Sequence, residues 1–276
     1  MSQWGWNTNI YRLKWRRQII DINENQLTVD APTVQAIESV YGRAQVYRYS
    51  LLFRGENVEI ENVGIENIRI ESVFVSDVDE NHGSHAVRVQ RVSNGWIRQM
   101  TSQYFWSGAV YLRRYSHSMT VEDSASLDPK GTLRGGRRYA FQINDGDFHL
   151  FQRCYAREGR HDFATSSRTP GPNVFLDSLS FESYNDIGTI CHVHCKLLCH
   201  QTIPFSNVLH FCSNNISGPH ERIATGQLYD NIKTTTNPLD DNDNGGEMNV
   251  QNRGSSGSGH GWSGAQVMFW NSEAKR

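Results

Sequence analysis

The sequence lacks several features, and each absence excludes a class of protein. Hydrophobic residues make up only 37% of its 276 residues, and no apolar run approaches the ~20 residues that a membrane-spanning helix needs. The 27 basic and 29 acidic residues leave a net charge of −2, so no strong field favours nucleic acid or a membrane surface. We therefore predict no nucleic-acid partner and no membrane association.

Amphipathic helices are missing too, because apolar spacings of three and four residues are not sustained anywhere. The stretch MSQWGWNTNIYRLKWRR at the start lacks the apolar segment of a secretory signal. Cysteine is scarce outside one window: Cys154 stands alone, and the other four cysteines lie between residues 191 and 212. This clustering indicates a local anomaly more than a disulfide framework.

The sequence does contain a repeat built from short alternating strands. NVEIENVGIENIRIESV alternates apolar and polar residues with a period of two, as a β-strand does. Four later segments superimpose: HAVRV at His85, GAVYL at Gly108, YAFQI at Tyr139 and HDFAT at His161. Their starts are 23, 31 and 22 residues apart, and the longest step contains the loop DPKGTLRGGR.

A second strand follows each of these segments, with four residues in matching positions: Ile97, Val121, Phe151 and Phe175. Two strands and turns per repeat, without helices, predict an all-β parallel β-helix in which repeats stack ~4.8 Å apart. We predict an irregular N-terminal segment with short strands at 1–40, as a truncated start, and the β-helix domain at 41–276.

Stacking would place equivalent residues in columns. Two predicted inward columns are Val87, Val110, Phe141, Phe163 and Val89, Leu112, Ile143, Thr165. The predicted outward column is Ala86, Ala109, Ala140, Asp162. Small side chains on an exposed sheet face would leave room for a ligand, with Asp162 at the end of the column.

One segment, 189–218, breaks the repeat. The next comparable strand, GQLYDNI, places Leu228 in register 53 residues after Phe175. Removing the 30 residues of this segment restores a step of 23, and a glycine marks each boundary: Gly188 precedes the segment and Gly218 is its last residue. We interpret the segment as a translated, retained intron.

Two alternatives for this segment stay open. It could be a solvated insertion loop, or a zinc site using its thiol and imidazole groups. The candidate zinc ligands are Cys191, His192, His194, Cys195, Cys199 and His200. Their compact spacing matches no common zinc module.

Four motifs carry a resemblance: GGRRYAFQIN, REGRHDFATSSRTPGPNVFLD, GPHERIATGQLYDNI and NVQNRGSSGSGHGWSGAQVMFWN. They resemble pectin-lyase-like, right-handed parallel β-helix proteins over roughly Tyr41 to Asn271, apart from 189–218 and the loop TTTNPLDDNDNGGE. The resemblance implies a right-handed β-helix, an extracellular location although no secretory signal is visible, a monomer, and a polysaccharide substrate. It does not identify a reaction.

Polar residues late in the chain are the candidate site. The predicted catalytic residues are His161, Asp162, His220 and Arg222. The predicted substrate-binding residues are Arg168, Asp230, Asn252, Arg253, His260 and Trp262. A bias towards arginine and histidine favours an acidic polysaccharide, hence a polysaccharide lyase. In β-elimination, His161 or His220 would be the base, and Arg222 or Arg253 would hold the uronate carboxylate.

Three other functions remain open. A glycoside hydrolase would use two carboxylates, and Asp162 with Asp230 is the available pair. The chain could also be a non-catalytic glycan-binding or structural rod, or an inactive product retaining an intron. Calcium could replace the arginine of a lyase, but no dense carboxylate cluster is visible to bind it, so no metal residue is assigned.

Several of these residues also have a structural interpretation. Arg153 is predicted to pair with its neighbours in the column Gln99, Asp123, Arg153, Asp177. Trp262 and Trp270 are predicted to pack in the interior, and the Gly/Ser run 254–261 could be a flexible loop. Asn252 could belong to an asparagine stack at a turn.

Overall fold

The computed structural model describes residues 12–40, 44–48, 52–53, 56–57, 59–184, 216–236 and 247–275. Apart from one helical turn, α1 (Ser256–Gly259), its regular elements are all strands. In chain order the strands are β1 (Ile19–Asn23), β2 (Gln26–Val29), β3 (Leu52–Phe53), β4 (Glu56–Asn57), β5 (Ile60–Glu61), β6 (Gly64–Glu71), β7 (His85–Val89), β8 (Val92–Ser93), β9 (Trp96–Gln103), β10 (Gly108–Leu112), β11 (Thr120–Glu122), β12 (Ala125–Leu127), β13 (Phe141–Ile143), β14 (His149–Gln152), β15 (Tyr155–Arg157), β16 (Phe163–Thr165), β17 (Asn173–Leu176), β18 (Leu179–Ser183), β19 (Ile216–Pro219), β20 (Ala224–Asp230), β21 (Lys233–Thr236), β22 (Glu247–Met248), β23 (Gly264–Trp270) and β24 (Glu273–Lys275).

Two long parallel sheets organise these strands. The first sheet has the order β22-β19-β16-β13-β10-β7. The second sheet, which we call the bent sheet, has two arms, β11-β14-β17-β20-β23 and β12-β15-β18-β21-β24. The arms are joined because the long strand β9 pairs with both β11 and β12. The fold is therefore all-β with long parallel sheets, an architecture compatible with a β-helix.

The predicted register of the first sheet is confirmed. Val110 lies opposite both Val87 and Phe141, and Phe141 lies opposite Phe163. The second predicted column is matched in the same way, since Leu112 pairs with Val89 and Ile143. All eight residues of the two predicted inward columns are buried.

The bent sheet confirms the second strand of each repeat but corrects its last position. Val121 pairs with Ile97 and with Phe151, which in turn pairs with Phe175. The residue opposite Phe175 is Tyr229, not Leu228. The register of Leu228 was therefore wrong by one residue. Apolarity favoured leucine, whereas a buried tyrosine continues the stack of aromatic rings, with centroids 5.1 Å apart for the pair Phe151–Phe175 and 4.9 Å apart for Phe175–Tyr229.

Each repeat turns between the two arms of the bent sheet through one residue with a left-handed backbone. These residues are Gln99, Asp123, Arg153, Asp177 and Asn231, with φ between 48° and 52°. Two neighbouring pairs of these side chains interact. Arg153 Nε donates to Asp123 Oδ1 at 2.7 Å, and Asn231 Nδ2 donates to Asp177 Oδ1 at 2.7 Å. The predicted structural role of Arg153 is confirmed.

The predicted outward column is wrong. Ala109, Ala140 and Asp162 are buried, and Ala86 packs against the core. Ala140 and Asp162 stand in the bends just before β13 and β16, outside the strands, so strict alternation of side chains does not apply to them. The N–H groups of both Ala109 and Val110 donate to Ala140 O, at 2.9 and 3.1 Å.

The remaining segments meet the sheets as follows. β1 and β2 form an antiparallel pair within the predicted irregular start, and this segment contacts the sheets through an Arg17–Asp147 ion pair of 2.5 Å. Most of 189–218, including its candidate zinc ligands, lies outside the described residues, so the intron, loop and zinc interpretations stay predictions. Its last three residues lie in β19, where Gly218 pairs with Ala164. Among the described residues, no helix is long and apolar enough to span a membrane.

Candidate functional site

Four aromatic rings meet where the chain enters and leaves the first sheet. The Tyr139 and His161 ring centroids lie 4.7 Å apart, and both residues are buried. The His220 ring lies 4.7 Å from His161 and 5.4 Å from Tyr139. The ring of His260 continues the series 5.0 Å beyond His220. The structure therefore brings together three of the predicted site histidines.

Two arginines complete this group. Arg160 places its guanidinium 5.4 Å from the Tyr139 ring centroid, and Nη2 lies 3.4 Å from Tyr139 Oη. Arg253 Nη1 donates to His220 O at 2.9 Å and lies 2.9 Å from His220 Nδ1. We call the set of six residues the His–Arg cluster: Tyr139, Arg160, His161, His220, Arg253 and His260.

A direct polar contact links two members of the His–Arg cluster. Tyr139 Oη lies 3.1 Å from His220 Nε2, within hydrogen-bonding distance. A phenol hydroxyl can donate or accept, and a neutral imidazole has one nitrogen for each role. The pair can therefore exchange a proton without any movement of the backbone.

Burial and cations keep two histidines of the cluster, His220 and His260, neutral. Burial lowers the pKa of His220 well below its usual range, and Arg253, His260 and Arg160 add to the effect. The pKa of His260 is lowered to about 4, chiefly by burial and then by Arg253 and Arg222. Both rings are neutral near pH 7, so their unprotonated nitrogens can accept protons or hydrogen bonds.

Arg222 is held in place by the turn beside the cluster. Arg222 Nη2 donates to Ser258 O at 2.7 Å, and Nη1 lies 3.4 Å from Glu221 Oε2. The same carboxylate lies 3.5 Å from His260 Nδ1. The backbone N–H of Arg168 donates to Arg222 O at 3.0 Å, so these two predicted site residues occupy neighbouring repeats.

The Gly/Ser run around α1 is an ordered turn. The N–H of His260 donates to Ser256 O at 3.0 Å, and the N–H of Gly261 donates to Gly254 O at 2.9 Å. A side chain at Gly257 would collide with the His260 ring, and Gly257 has a φ of 57°. Glycine is needed there for both reasons. The run therefore holds His260 in position, a role that the flexible-loop interpretation did not predict.

Two other predicted residues lie near this turn. Asn252 Oδ1 accepts from the N–H of Gly254 at 3.0 Å, so Asn252 stabilises a local turn. Trp262 pairs with Asn252 through an isolated antiparallel bridge. The predicted interior packing of Trp262 and Trp270 is wrong, because 55% and 62% of their surfaces are exposed. Trp262 therefore presents an aromatic ring to solvent two residues after His260 of the His–Arg cluster.

Asp162 lies apart from the His–Arg cluster despite following His161. Its Oδ2 accepts hydrogen bonds from Ser180 Oγ at 2.5 Å and Ser183 Oγ at 2.9 Å. Burial raises its pKa to about 6, against the lowering effect of the two serines. A side chain at Gly159 would collide with the Asp162 carboxyl group. Asp162 is thus an interior carboxyl group packed between β16 and β18.

The predicted pair Asp162 and Asp230 is not brought together by any contact among the described residues. Asp230 ends β20 in the bent sheet, where it pairs with Leu176 and Trp270. Asp162 faces the buried serines of β18. Because a hydrolytic pair must flank one sugar bond, this arrangement gives the hydrolase alternative no support.

Three residues of the site were not among the predicted ones: Tyr139, Arg160 and Glu221. Tyr139 and His161 start two aligned repeat segments, so the alignment itself contained the signal. Arg160 precedes His161 in the chain, and Glu221 lies between His220 and Arg222. No group of three or more His, Cys, Asp or Glu residues that could hold a metal occurs in the described part of the chain.

Comparison with known proteins adds no identification. No protein family, no curated protein and no solved structure matches this chain. The resemblance to pectin-lyase-like proteins therefore enters only as a proposal.

Proposed function

We propose that the chain is a right-handed parallel β-helix of the pectin-lyase type that acts on an acidic polysaccharide outside the cell, as a lyase working by β-elimination. The parallel, in-register stacking of repeats supports the β-helix. The motifs that resemble pectin-lyase-like proteins support the substrate class, and all four motifs contribute residues to the His–Arg cluster.

The observation that carries the lyase proposal is the 3.1 Å contact between Tyr139 Oη and His220 Nε2, next to Arg160 and Arg253. β-Elimination requires a base for the proton next to the uronate carboxylate, a proton donor for the leaving oxygen, and positive charge near the carboxylate. In the proposed reaction His220 takes the proton, Tyr139 protonates the leaving oxygen, and Arg253 with Arg160 stabilises the carboxylate.

The low pKa of His220 fits this mechanism when substrate is considered. In the free protein, burial and three neighbouring cationic or titratable groups oppose protonation of His220. A bound carboxylate would offset the guanidinium charges and raise the pKa of the ring towards neutrality. His220 would then become a stronger base only when an acidic sugar is present.

The test compares two tyrosines. Tyr139→Phe removes the hydroxyl that contacts His220 and leaves the ring, so we expect cleavage of uronate polysaccharides to fall by roughly 10²–10⁴-fold. Tyr111→Phe is the matched control, because its ring stacks on His85, 4.8 Å away, outside the cluster. Ultraviolet absorbance of unsaturated chain ends measures turnover, and calorimetry measures binding. Equal cleavage by both variants would contradict the proposed role of Tyr139.

A second candidate is non-catalytic binding of an acidic glycan. The observation that favours it is an exposed ring beside the cluster: 55% of Trp262 faces solvent, whereas only 1% of Arg160 and 5% of Arg253 is exposed. In this case acidic polysaccharide would bind saturably, and neither the parent protein nor any variant would release unsaturated ends. Trp262→Ala would then weaken binding, and no variant would form product.

A further inference from the structure

One long stretch of the sequence contains no acidic residue. Between Glu80 and Glu122 there are five arginines and neither aspartate nor glutamate, although the chain as a whole has a net charge of −2. The stretch includes β7, β10 and the turn that follows each of these strands. Its arginines therefore stand in neighbouring repeats that supply no carboxylate of their own.

Four of these arginines form no ion pair with the residues that the structure describes. They are Arg88, Arg91, Arg113 and Arg114, which we call the arginine patch. Eight other arginines do pair with a carboxylate: Arg16, Arg17, Arg69, Arg98, Arg137, Arg153, Arg157 and Arg222. The arginine patch therefore gathers positive charge that the fold itself does not neutralise.

Backbone pairing brings the members of the arginine patch together. Arg88 in β7 lies opposite Tyr111 in β10. The N–H of Arg91 donates to Arg114 O at 3.2 Å, and Arg113 comes directly after β10. Arg88 and Arg114 are exposed, whereas Arg91 and Arg113 are partly buried. A ligand can therefore reach the patch from solvent.

A tyrosine ring holds two of the guanidinium groups. The central guanidinium carbons of Arg88 and Arg113 lie 5.8 and 5.6 Å from the centroid of the Tyr111 ring, at the distance of cation–π contacts. The same ring stacks on His85, 4.8 Å away. The pKa of His85 is lowered to about 4, first by burial and then by these two arginines. The imidazole is thus neutral near pH 7, and the arginines carry the positive charge.

Two donors in the arginine patch have no acceptor. The Nε atoms of Arg91 and Arg113 are buried and form no hydrogen bond within the described part of the chain. A buried donor without an acceptor costs free energy, and like charges held close together repel. Oxygen atoms of an anionic ligand would satisfy the donors and offset the charges at the same time.

The surroundings of the arginine patch indicate which anion it suits. Guanidinium groups bind oxyanions through pairs of parallel hydrogen bonds. A nucleic acid would need a longer basic surface, or free aromatic rings on which bases could stack. The Tyr111 ring already contacts His85 and two guanidinium groups, and the net charge of −2 supplies no long-range attraction. These features favour a glycan that carries separate acidic groups.

We propose that the arginine patch binds an anionic glycan through its carboxylate or sulfate groups, at a site separate from the His–Arg cluster. His85 and Tyr139 start aligned segments two repeats apart, which is roughly 10 Å at ~4.8 Å per repeat. The site holds the glycan and performs no chemistry on it. The proposal rests on the proposed function only in its ligand class, because binding at the patch does not require cleavage.

The experiment is calorimetry with polygalacturonate, dextran sulfate and neutral dextran of matched length. The double variant Arg88→Gln/Arg114→Gln removes the two exposed charges, and we expect its Kd for the acidic polymer to rise roughly 10–100-fold. Arg88→Lys/Arg114→Lys keeps the charges without the paired hydrogen bonds and should fall between parent and double variant. The acidic polymer that the parent protein binds more tightly identifies carboxylate or sulfate as the recognised group.

Arg98→Gln is the matched control. Arg98 is exposed and lies in the same acid-free stretch, but it already pairs with Glu66, so this variant should bind like the parent protein. Circular dichroism checks that every variant is folded. The proposal is overturned if neither acidic polymer binds, or if neutral dextran binds equally well. An equal Kd for the double variant and the parent, or an equal loss in Arg98→Gln, also overturns it. Tighter binding of single-stranded DNA than of either glycan would replace it with a nucleic-acid site.

The failure of this proposal can be distinguished from that of the lyase proposal. Weaker binding by Arg88→Gln/Arg114→Gln, with no cleavage by any protein, would retain the arginine patch and remove the lyase. Cleavage lost in Tyr139→Phe, with unchanged binding by Arg88→Gln/Arg114→Gln, would do the reverse.

Discussion

The two corners of the repeat differ in how uniform they are. At the bend of the bent sheet, every repeat from Gln99 to Asn231 uses a single left-handed residue. At the entry to the first sheet, one position is alanine in the early repeats and Asp162 in a later one, and the residue before it changes from His85 to Gly108, Tyr139 and His161. The uniform corner supports the stack, and the variable corner is where charges and rings collect.

A second arrangement also repeats at the bend: a serine hydroxyl that forms two hydrogen bonds with the backbone. Ser124 Oγ donates to Glu122 O at 2.8 Å and accepts from the N–H of Met100 at 3.2 Å. Ser178 makes the same two hydrogen bonds, to Leu176 O at 2.8 Å and from the N–H of Cys154 at 3.0 Å. A side chain that satisfies two buried backbone groups in alternate repeats identifies this corner as structural.

The largest effect should come from breaking the aromatic column that supports the uniform corner. Phe175→Ala removes a buried ring stacked between Phe151 and Tyr229. We expect a loss of about 3–5 kcal/mol in the free energy of unfolding, because a cavity remains between two rings that cannot collapse fully. Urea denaturation followed by circular dichroism measures it. Trp270→Ala, at an exposed position, is the control, and an equal loss there would contradict the argument.

At the variable corner, the buried carboxyl group of Asp162 should make the stability of the protein depend on pH. The pKa of Asp162 is about 6 in the folded protein and roughly 3.9 in an unfolded chain. Its contribution to stability is therefore complete below pH ~4 and is lost as pH rises to about 6, because only the unfolded state then ionises freely. The loss should be about 3 kcal/mol, from about two pKa units.

Asp162→Asn tests this prediction. The variant cannot ionise, so its stability relative to the parent protein should rise between pH 4 and pH 6 and stay level above that range. Denaturation midpoints at several pH values measure the difference. Parallel curves for the two proteins would show that Asp162 ionises as easily in the folded state as in the unfolded chain.

A smaller loss of stability should follow from removing the serine hydroxyls of the uniform corner. Ser178→Ala leaves the N–H of Cys154 without its buried acceptor, which should cost about 1–2 kcal/mol. Ser124→Ala should cost a similar amount, because it makes the same pair of hydrogen bonds two repeats earlier in the column. Thermal denaturation compares the two. A clear difference between the two losses of stability would mean that the repeats at this corner differ in energy although their hydrogen bonds are the same.

The uniform parts of the fold could be predicted from the sequence because their pattern recurs. Strand alternation placed Val110 opposite Phe141, and the opposite charges of Asp123 and Arg153 predicted their pairing. These inferences needed only a constant spacing and the assumption that equivalent residues stack. The position opposite Phe175, predicted as Leu228 and found to be Tyr229, shows the limit of this reasoning. A register error of one residue in a strand turns every side chain to the opposite face.

The variable corner could be predicted only in part. Histidines 161, 220 and 260 are brought together as the stacking hypothesis required, although they are far apart in the chain. The direction of Asp162 could not be predicted, because the residue lies in a bend just before β16 and the alternation rule holds only within a strand. For the same reason Tyr139 was missed: strict alternation assigned the functional face to its neighbour Ala140.

The smallest effect should come from the exposed ladder at the bend. Arg153 donates to both carboxylate oxygens of Asp123, at 2.7 and 2.8 Å, and about half of each side chain is exposed. Water and salt screen such a pair, so Arg153→Ala should lower the unfolding midpoint only slightly. Repeating the measurement in high salt should reduce even this difference. The left-handed backbone at Arg153 is the competing cause, and Arg153→Asn separates the two: asparagine tolerates that conformation but cannot form the ion pair. If Arg153→Asn is as stable as the parent protein while Arg153→Ala is not, the backbone conformation, and not the charge, makes this corner uniform.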